Sequence, residues 1–525
     1  MRRSLTAAGC LILLFFLCLC TASVYGDVTP EQIESLTKKL ERWEAEEAWT
    51  EVQEYLSSDP GARDLFELAS HIAFYRGDYR EALRFSKAAM EVSGEDEQKK
   101  AFTLFIEETI SVLGPFKRYE SPHFVISLDE KQDGILADYL IDALEKTYRV
   151  MATKYGFESK EKIRVEVFPD SRAFYRASTL SARDIEVTGA VGLTKFNKLQ
   201  LLSPRALMHG YRWLDSISHE YMHYLIVKLT ANKAPIWYHE GLSKYEETSW
   251  RDGPNYLAPP YDALLANALA ADRLISFARM EPSLVQLDTP EDVQLAYAEA
   301  ASAIHFIITR VGQNGLQRLM RRMAFSSTSG ASEAVKEIVG LEFGEFEKEW
   351  KTFLASLGLK ESGAATPHRY KLKEGKVDDD RLDMQTIRSL VARNRTYLGD
   401  RLKENGRLGA AIIEYRRALA DSQDSVPIMI RLSSALIEQG RDDEALTLLK
   451  KIRELAPDHP VAYVQLGKIY VKKKQHKEAK ETFENAIQIN PFIADAHDGL
   501  ADASDALGTK EIAAKERELA RKLTR

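Results

Sequence analysis

Along the last third of the chain, apolar and small residues return at a fixed step. Leu398, Leu432, Leu466 and Leu500 lie 34 residues apart, and Ala411, Ala445, Ala479 and Ala513 keep the same spacing, as do Tyr415, Leu449 and Phe483. Gly406, Gly440 and Gly508 fall where paired helices would turn, and Pro457 and Pro491 fall between units. A helix pair that cannot bury its apolar face alone buries it against the next pair, so this step predicts a helical solenoid over about 395–525. Between about 28 and 112 a weaker version appears. Gly77-Asp78-Tyr79-Arg80-Glu81-Ala82-Leu83 has the pattern of a turn and second helix, and Ala48 precedes Ala82 by 34 residues. Trp43, Trp49, Phe74 and Tyr75 fit the core of such an array better than a binding surface.

The stretch between these regions, about 113–357, has a different texture. Phe124-Val125-Ile126 and Ile163-Arg164-Val165-Glu166-Val167-Phe168 have the alternation or β-branching of short strands, and Ile135–Tyr155 between them is helical. Leu199-Gln200-Leu201-Leu202 is a third strand, followed by helices as far as Leu354. Strands followed by helices predict an α+β domain rather than an alternating parallel sheet. Residues 358–385, with Gly363, Thr366-Pro367, Gly375 and Asp378-Asp379-Asp380, have the composition of a linker.

The chain opens on Arg2-Arg3, an apolar run from Leu11 to Leu19 and then small or polar residues, the form of a secretory signal with cleavage after Gly26. The run is short for a membrane span, and Cys20 follows Leu19 where a lipoprotein signal places a small residue. The expected location is a bacterial periplasm or cell envelope, or the outside medium, with membrane association only if this segment is retained.

Composition refines the picture. The 525 residues are 45% hydrophobic, too apolar for disorder, and too many for one core, so several domains are expected. A net charge of −7 gives no basic footprint for nucleic acid. All three cysteines, Cys10, Cys18 and Cys20, precede the cleavage point, so the mature chain has no thiol and depends on its cores for stability.

Candidate chemistry is concentrated in the middle region. His219-Glu220-Tyr221-Met222-His223 lies in a helical stretch that Asp215 or Ser216 is placed to cap. Positions i and i+4 share a helix face, so both imidazoles can hold one metal ion, while Glu220 can reach a water beside it. Two unrelated histidines on a solvent-facing helix would give the same five residues. Lys233-Ala234-Pro235 then ends one helix and starts another, Ile236-Trp237-Tyr238-His239-Glu240-Gly241-Leu242-Ser243-Lys244-Tyr245-Glu246-Glu247.

HExxH followed by this second stretch resembles the gluzincin branch of zinc metallopeptidases, which carries W-x-x-E-G-x-(A/S)-x-Y-x-E on the helix after HExxH. The resemblance implies Glu240 as the third ligand beside His219 and His223, one Zn²⁺ per chain, and Glu220 as general base. His239 points about 100° away from Glu240 round a helix, as a packing or surface residue would. Glu247, two turns beyond Glu240, either orients a ligand histidine or is an exposed charge. Gly241 lets helices approach closely. Leu295-Ala296-Tyr297-Ala298-Glu299-Ala300-Ala301-Ser302 is similar to the gluzincin stretch whose tyrosine hydrogen-bonds the developing oxyanion, which makes Tyr297 a candidate beside its reading as a core tyrosine. Gly189-Ala190-Val191-Gly192-Leu193 stands where aminopeptidase members carry G-A-M-E-N on an edge strand. The glutamate that would hold a free amino terminus is missing, which favours endopeptidase cleavage.

The middle region as a whole resembles the peptidase MA-like proteins, bacterial gluzincin-type domains often fused to tetratricopeptide repeats, and the 34-residue step resembles those repeats. The implied organisation is a signal at 1–26, a degenerate repeat-like segment at 27–112, the gluzincin domain at 113–357, a linker at 358–385 and repeats at 386–525. The fold class is thus multidomain, an α+β zincin-like domain flanked by all-α repeat segments. The implied function is a zinc-dependent endopeptidase acting on a protein or peptide, with repeats that bind substrate or partner proteins. Two alternatives stand beside it. One is an envelope scaffold acting through its repeats, for which an intact Glu220 has no purpose; the other is zinc-dependent hydrolysis of a non-peptide amide. The basic run Lys472-Lys473-Lys474-Gln475-His476-Lys477 falls at a repeat turn, either as a solvated face or as a site for an acidic partner.

Overall fold

The computed structural model describes residues 28–58, 62–93, 96–181, 189–257, 261–326, 330–360, 371–373 and 379–524. The signal segment at 1–26 and most of the linker composition, Gly363, Thr366-Pro367, Gly375 and Asp378, lie outside these residues. No helix among the described residues is long and apolar enough to cross a membrane.

Five helices come first: Pro30–Glu41, Ala45–Ser58, Phe66–Arg76, Tyr79–Ser93 and Glu97–Leu113. Gly77 takes the left-handed conformation that turns the third into the fourth, and Ala48 and Ala82 are fully buried where helices cross. A five-stranded sheet follows, β1 (Lys117–Glu120), β2 (Phe124–Leu128), β3 (Ile163–Phe168), β4 (Gly192–Lys195) and β5 (Lys198–Leu202). Its spatial order is β1-β2-β3-β5-β4. The sheet is mixed: β2, β3 and β5 run parallel, while β1 and β4 are antiparallel edges. Helix Ala137–Tyr155 makes the crossover that two parallel neighbours require.

Alternation along the strands gives the sheet two different faces. Phe124, Ile126, Val165, Val167, Leu199 and Leu201 point into one large core with the Ala137–Tyr155 helix and with the helix Trp213–Thr230, here the motif helix. The other face carries Glu166, Lys198 and Gln200, all buried beneath the N-terminal helices. There Lys198 Nζ lies 3.0 Å from Glu166 Oε2 and donates to the Tyr79 hydroxyl at 2.9 Å, while Tyr79 donates to Glu166 Oε1. Gln200 Nε2 completes the network with a donation to Glu166 Oε2 at 2.9 Å. Partnering on this scale is what allows a lysine to sit on a dry sheet face.

The motif helix does not begin at the expected caps. It starts at Trp213, two residues before Asp215, with Arg212 in the cap position and no side-chain cap. Asp215 instead accepts Arg251 Nη2 at 2.8 Å and Trp250 Nε1 at 3.0 Å. After a left-handed Ala231, Pro235 opens helix Ile236–Glu246. The long helix Pro290–Ala324, kinked at Gly312, and the helices Ser332–Val339 and Phe343–Ser356 close this domain.

Residues 371–373 return to pair with the loop ahead of the motif helix, Met208 N–H donating to Lys371 O at 3.0 Å and Lys373 N–H to Ala206 O at 2.8 Å. A short helix, Asp379–Thr386, leads into four helix pairs from Leu390 to Leu523. Ala411, Ala445, Ala479 and Ala513 are fully buried at the crossings, and Gly406, Gly440 and Gly508 are left-handed at the turns, with Lys474 taking that conformation in the third unit. Leu398 departs from its buried counterparts and is 49% exposed, because no earlier repeat among the described residues covers its face. In the basic run, Lys472 and Lys473 pair with Asp442 at 3.2 Å and Asp443 at 2.9 Å in the preceding unit, so part of that charge is neutralised within the array.

Candidate metal centre

His219 and His223 lie one turn apart on the motif helix, and their Nε2 atoms are 3.1 Å from each other. Glu240, on the next helix, brings Oε2 to 3.4 Å from each of those nitrogens. Donor atoms about 2.0–2.1 Å from one tetrahedral ion are separated by about 3.3 Å, so this triangle has the size of one face of a zinc coordination sphere. Glu240 Oε2 is buried and outside hydrogen-bond geometry with either ring, as expected of donors converging on a shared cation rather than on each other. Two imidazoles and a carboxylate suit zinc better than calcium or magnesium.

Charges around the triangle hold the donors in place. Burial disfavours a proton on His219, but Glu240 and Glu247 outweigh it and push the pKa up to about 9. Burial alone would raise the Glu240 pKa, yet His223 and His219 bring it well below the usual carboxylate range. Glu247 is not an exposed charge: Oε2 lies 3.4 Å from His219 Nδ1, and Oε1 accepts Lys244 Nζ at 2.5 Å. His239 is neither at the surface nor directed at the triangle. Its ring stacks on His223 at 5.6 Å, with 3.4 Å between the two Nδ1 atoms. Burial, reinforced by His223, pushes its pKa down to about 3, so it faces the ligand as a neutral ring. Partners on the far nitrogen of a ligand imidazole set its tautomer and orientation.

Glu220 packs against edge strand β4. Its carboxylate Oε2 lies 2.7 Å from the Thr194 hydroxyl, which is also 2.7 Å from the Glu220 carbonyl oxygen. Gly192 leaves the room for this packing, since a Cβ there would stand 2.5 Å from Glu220 Oε1. Burial pushes the Glu220 pKa upward against the opposing pull of His223 and His219. Tyr297 stands on the far side, its ring 6.3 Å from that of His219. Burial, then Glu240 and Glu220, push its pKa well above the ordinary phenol value, so it remains a proton donor. Gly241 makes the close approach expected of it, but toward the helix that carries Tyr297: a Cβ would meet Ala300 O at 2.5 Å.

The structure therefore brings His219, His223, Glu240, Glu220 and Tyr297 around one point. Sequence reasoning passed over Thr194, although its spacing from Gly192 puts both on the same face of β4. It also passed over Lys244, which no motif position distinguishes.

Residues 145–356, which hold all five of these side chains, match the model of the Peptidase MA superfamily. The chain carries a Peptidase MA superfamily domain. Tetratricopeptide-repeat models match 402–460 and 443–503. Among solved structures, the crystal structure of MamA is 21% identical with a TM-score of 0.24, covering 28% of this chain and 86% of that one. A thermophilic tetratricopeptide protein of Thermus thermophilus is 23% identical with a TM-score of 0.24, covering 25% and 72%. No curated protein matches the chain.

Proposed function

We propose that this chain is an exported zinc-dependent endopeptidase whose repeats bind substrate or partner proteins. The observation that carries the proposal is the His219–His223–Glu240 triangle with Glu220 beside it. A ligand set alone would serve a structural ion, but a buried carboxylate held next to the ligands by Thr194 has the placement of a general base.

His219, His223 and Glu240 would hold a zinc ion, which would supply Lewis-acid polarisation of the scissile carbonyl and lower the pKa of water. Glu220, held beside the ligands by Thr194, would take the proton from the attacking water and pass it to the departing amine. Tyr297 donates to the oxygen that gains charge. As an edge strand above Glu220, β4 offers an extended peptide a backbone to pair with. The amino-terminal segment, with its basic start, apolar run and small-residue cleavage point, supports delivery to the periplasm or cell envelope.

The Glu220→Gln variant tests this reading. Cleavage of an unfolded protein such as reduced casein is expected to fall by about 10²–10⁴-fold while zinc content is unchanged. A wild-type chain that binds zinc yet cleaves neither unfolded nor envelope proteins would favour the scaffold alternative. That alternative draws support from the extensive docking of the repeats on the Peptidase MA domain.

A further inference from the structure

The helix Leu390–Glu404, which opens the first repeat pair, leaves an apolar stripe uncovered. Leu390, Val391, Tyr397 and Leu398 are between 48% and 65% exposed and, with Asn394 among them, follow one face of the helix at steps of three and four. In the later pairs the same face is dry. Leu432, Leu466 and Leu500, the counterparts of Leu398, are buried, and Ile428, Ala462 and Ala496, the counterparts of Asn394, are fully buried against the pair before them. The short helix Asp379–Thr386 packs on Val426–Glu438, in the second pair, and leaves the stripe open.

The far end of the array is finished differently. Its last helix, Lys510–Leu523, exposes Glu511, Lys515, Glu518 and Lys522 at one-turn steps, beside an exposed Ile512. A polar outer face is what a terminal repeat needs in water. The far end is also the end held by the Peptidase MA domain. Tyr211 N–H donates to Ile489 O at 2.9 Å, Trp213 Nε1 donates to Ile487 O at 3.2 Å, Arg212 Nε lies 3.0 Å from Asp458 Oδ1, and Tyr139 donates to Glu516 Oε1 at 2.8 Å. The first pair is therefore the open end of the stack, and the charged last helix of another copy is a poor cover for it.

The stripe is complementary to itself. Its apolar residues lie symmetrically about Asn394, with Leu390 and Val391 one turn before it and Tyr397 and Leu398 one turn after. Two copies of the helix, antiparallel and crossing at Asn394, set Leu390 and Val391 of each against Leu398 and Tyr397 of the other, the isologous arrangement of a two-fold dimer. The amide of Asn394 both donates and accepts, so it can pair with its own copy on the axis. Arg388 precedes the stripe and the Arg401–Glu404 ion pair, at 3.0 Å, follows it, so reversal brings Arg388 toward Glu404 of the facing copy. The four apolar side chains leave on the order of 400 Å² uncovered, the size of patch that is often functional on a monomer. Facing an identical stripe they bury about 800 Å² before the polar rim is counted, which places the contact among weak, concentration-dependent associations.

We infer that the open end of the repeat array is a two-fold dimer interface, its occupant the same Leu390–Glu404 stripe of a second copy. The inference is independent of the metal centre and of cleavage. Analytical ultracentrifugation of the full chain is expected to show a monomer–dimer equilibrium in the micromolar range. Val391→Glu and Leu398→Glu, each at an exposed position, should weaken dimerisation by about tenfold or more, since the two-fold axis doubles every buried charge. Their circular dichroism should be unchanged, and Leu104→Glu, at a comparably exposed leucine of the helix Glu97–Leu113, should leave the dimer intact. Asn394→Cys, on the axis, should form an intermolecular disulfide on mild oxidation, because facing helices bring the two Cα atoms within about 7 Å. Arg401→Cys should not, since two turns off the axis it stands about 20 Å from its own copy. The parent chain is the control for Cys10, Cys18 and Cys20. A wild type that stays monomeric at every attainable concentration overturns the inference and leaves the stripe to a helix of another protein. So does a dimer that Leu398→Glu leaves intact, or an Arg401→Cys that cross-links as readily as Asn394→Cys.

Discussion

Glu220 has no side chain between it and the backbone of Gly192. Gly192→Ala puts a methyl 2.5 Å from Oε1, and the flexible carboxylate yields more readily than the strand. The expected outcome is a loss of the proposed peptidase turnover on the scale of Glu220→Gln with little change in melting temperature, checked by parallel kinetics and thermal denaturation. His219 supplies a second prediction, for the metal-free chain. Its pKa is raised to about 9 from an ordinary 6.5, so the stabilisation from its protonated form is complete below about pH 6.5 and is lost as pH rises through about 9. Melting temperature of the metal-stripped protein should fall across that window, by on the order of 3 kcal/mol of stability. Glu247→Gln should flatten the profile, since Glu247 is one of the two carboxylates that hold the proton. A flat profile in the wild type would mean that His219 is neutral in the metal-free centre.

At the scale of elements, the ligand geometry depends on how three helices meet. His219 and His223 need only helical spacing to share a face, but Glu240 reaches them because its helix packs tightly on the Tyr297 helix. Gly241 is the contact point. Gly241→Ala directs a methyl at the carbonyl oxygen of Ala300, where backbone rather than a side-chain tip must move. The variant should lose about 1–3 kcal/mol in chemical denaturation, as overpacked sites do, and should bind zinc more weakly because Glu240 moves with its helix. Unchanged zinc affinity would show that the Glu240 helix adjusts independently of its neighbour.

In the whole molecule, the motif helix is gripped near both ends by the flanking helical modules. Near its C-terminal end, Trp43 packs on Tyr224 at 6.0 Å and its carbonyl accepts Lys228 Nζ at 2.5 Å. At the other end, the loop 209–213 is seated on the repeats. Gly210 allows that seat: its φ is +78°, and a Cβ would lie 2.2 Å from Ile489 O. Gly210→Ala should therefore loosen the repeats from the Peptidase MA superfamily domain. Small-angle scattering should report a larger radius of gyration, and limited proteolysis should cut faster between 358 and 385. An unchanged radius and digestion pattern would mean that the remaining contacts, including Arg212–Asp458, hold the seam without Gly210.

Much of this architecture was legible from local pattern alone. The 34-residue step specifies stacked helix pairs because no single pair can cover its own apolar face, and the buried Ala411, Ala445, Ala479 and Ala513 follow from it. HExxH puts two imidazoles on one face because 3.6 residues make a turn. Tertiary packing decided what local pattern cannot encode. The alternation in Ile163–Phe168 is compatible with a solvated face, yet helices more than eighty residues earlier cover it and turn Glu166 into part of a buried network. Thr194 meets Glu220, and His239 stacks on His223, only because an edge strand and a second helix converge on the motif helix. His209, Asp383 and His459, spread over 250 residues, become neighbours only when the repeats fold back on the loop ahead of that helix. Periodicity is a property of neighbours in the chain, whereas each of these contacts joins elements whose separation in sequence carries no trace of their distance in space.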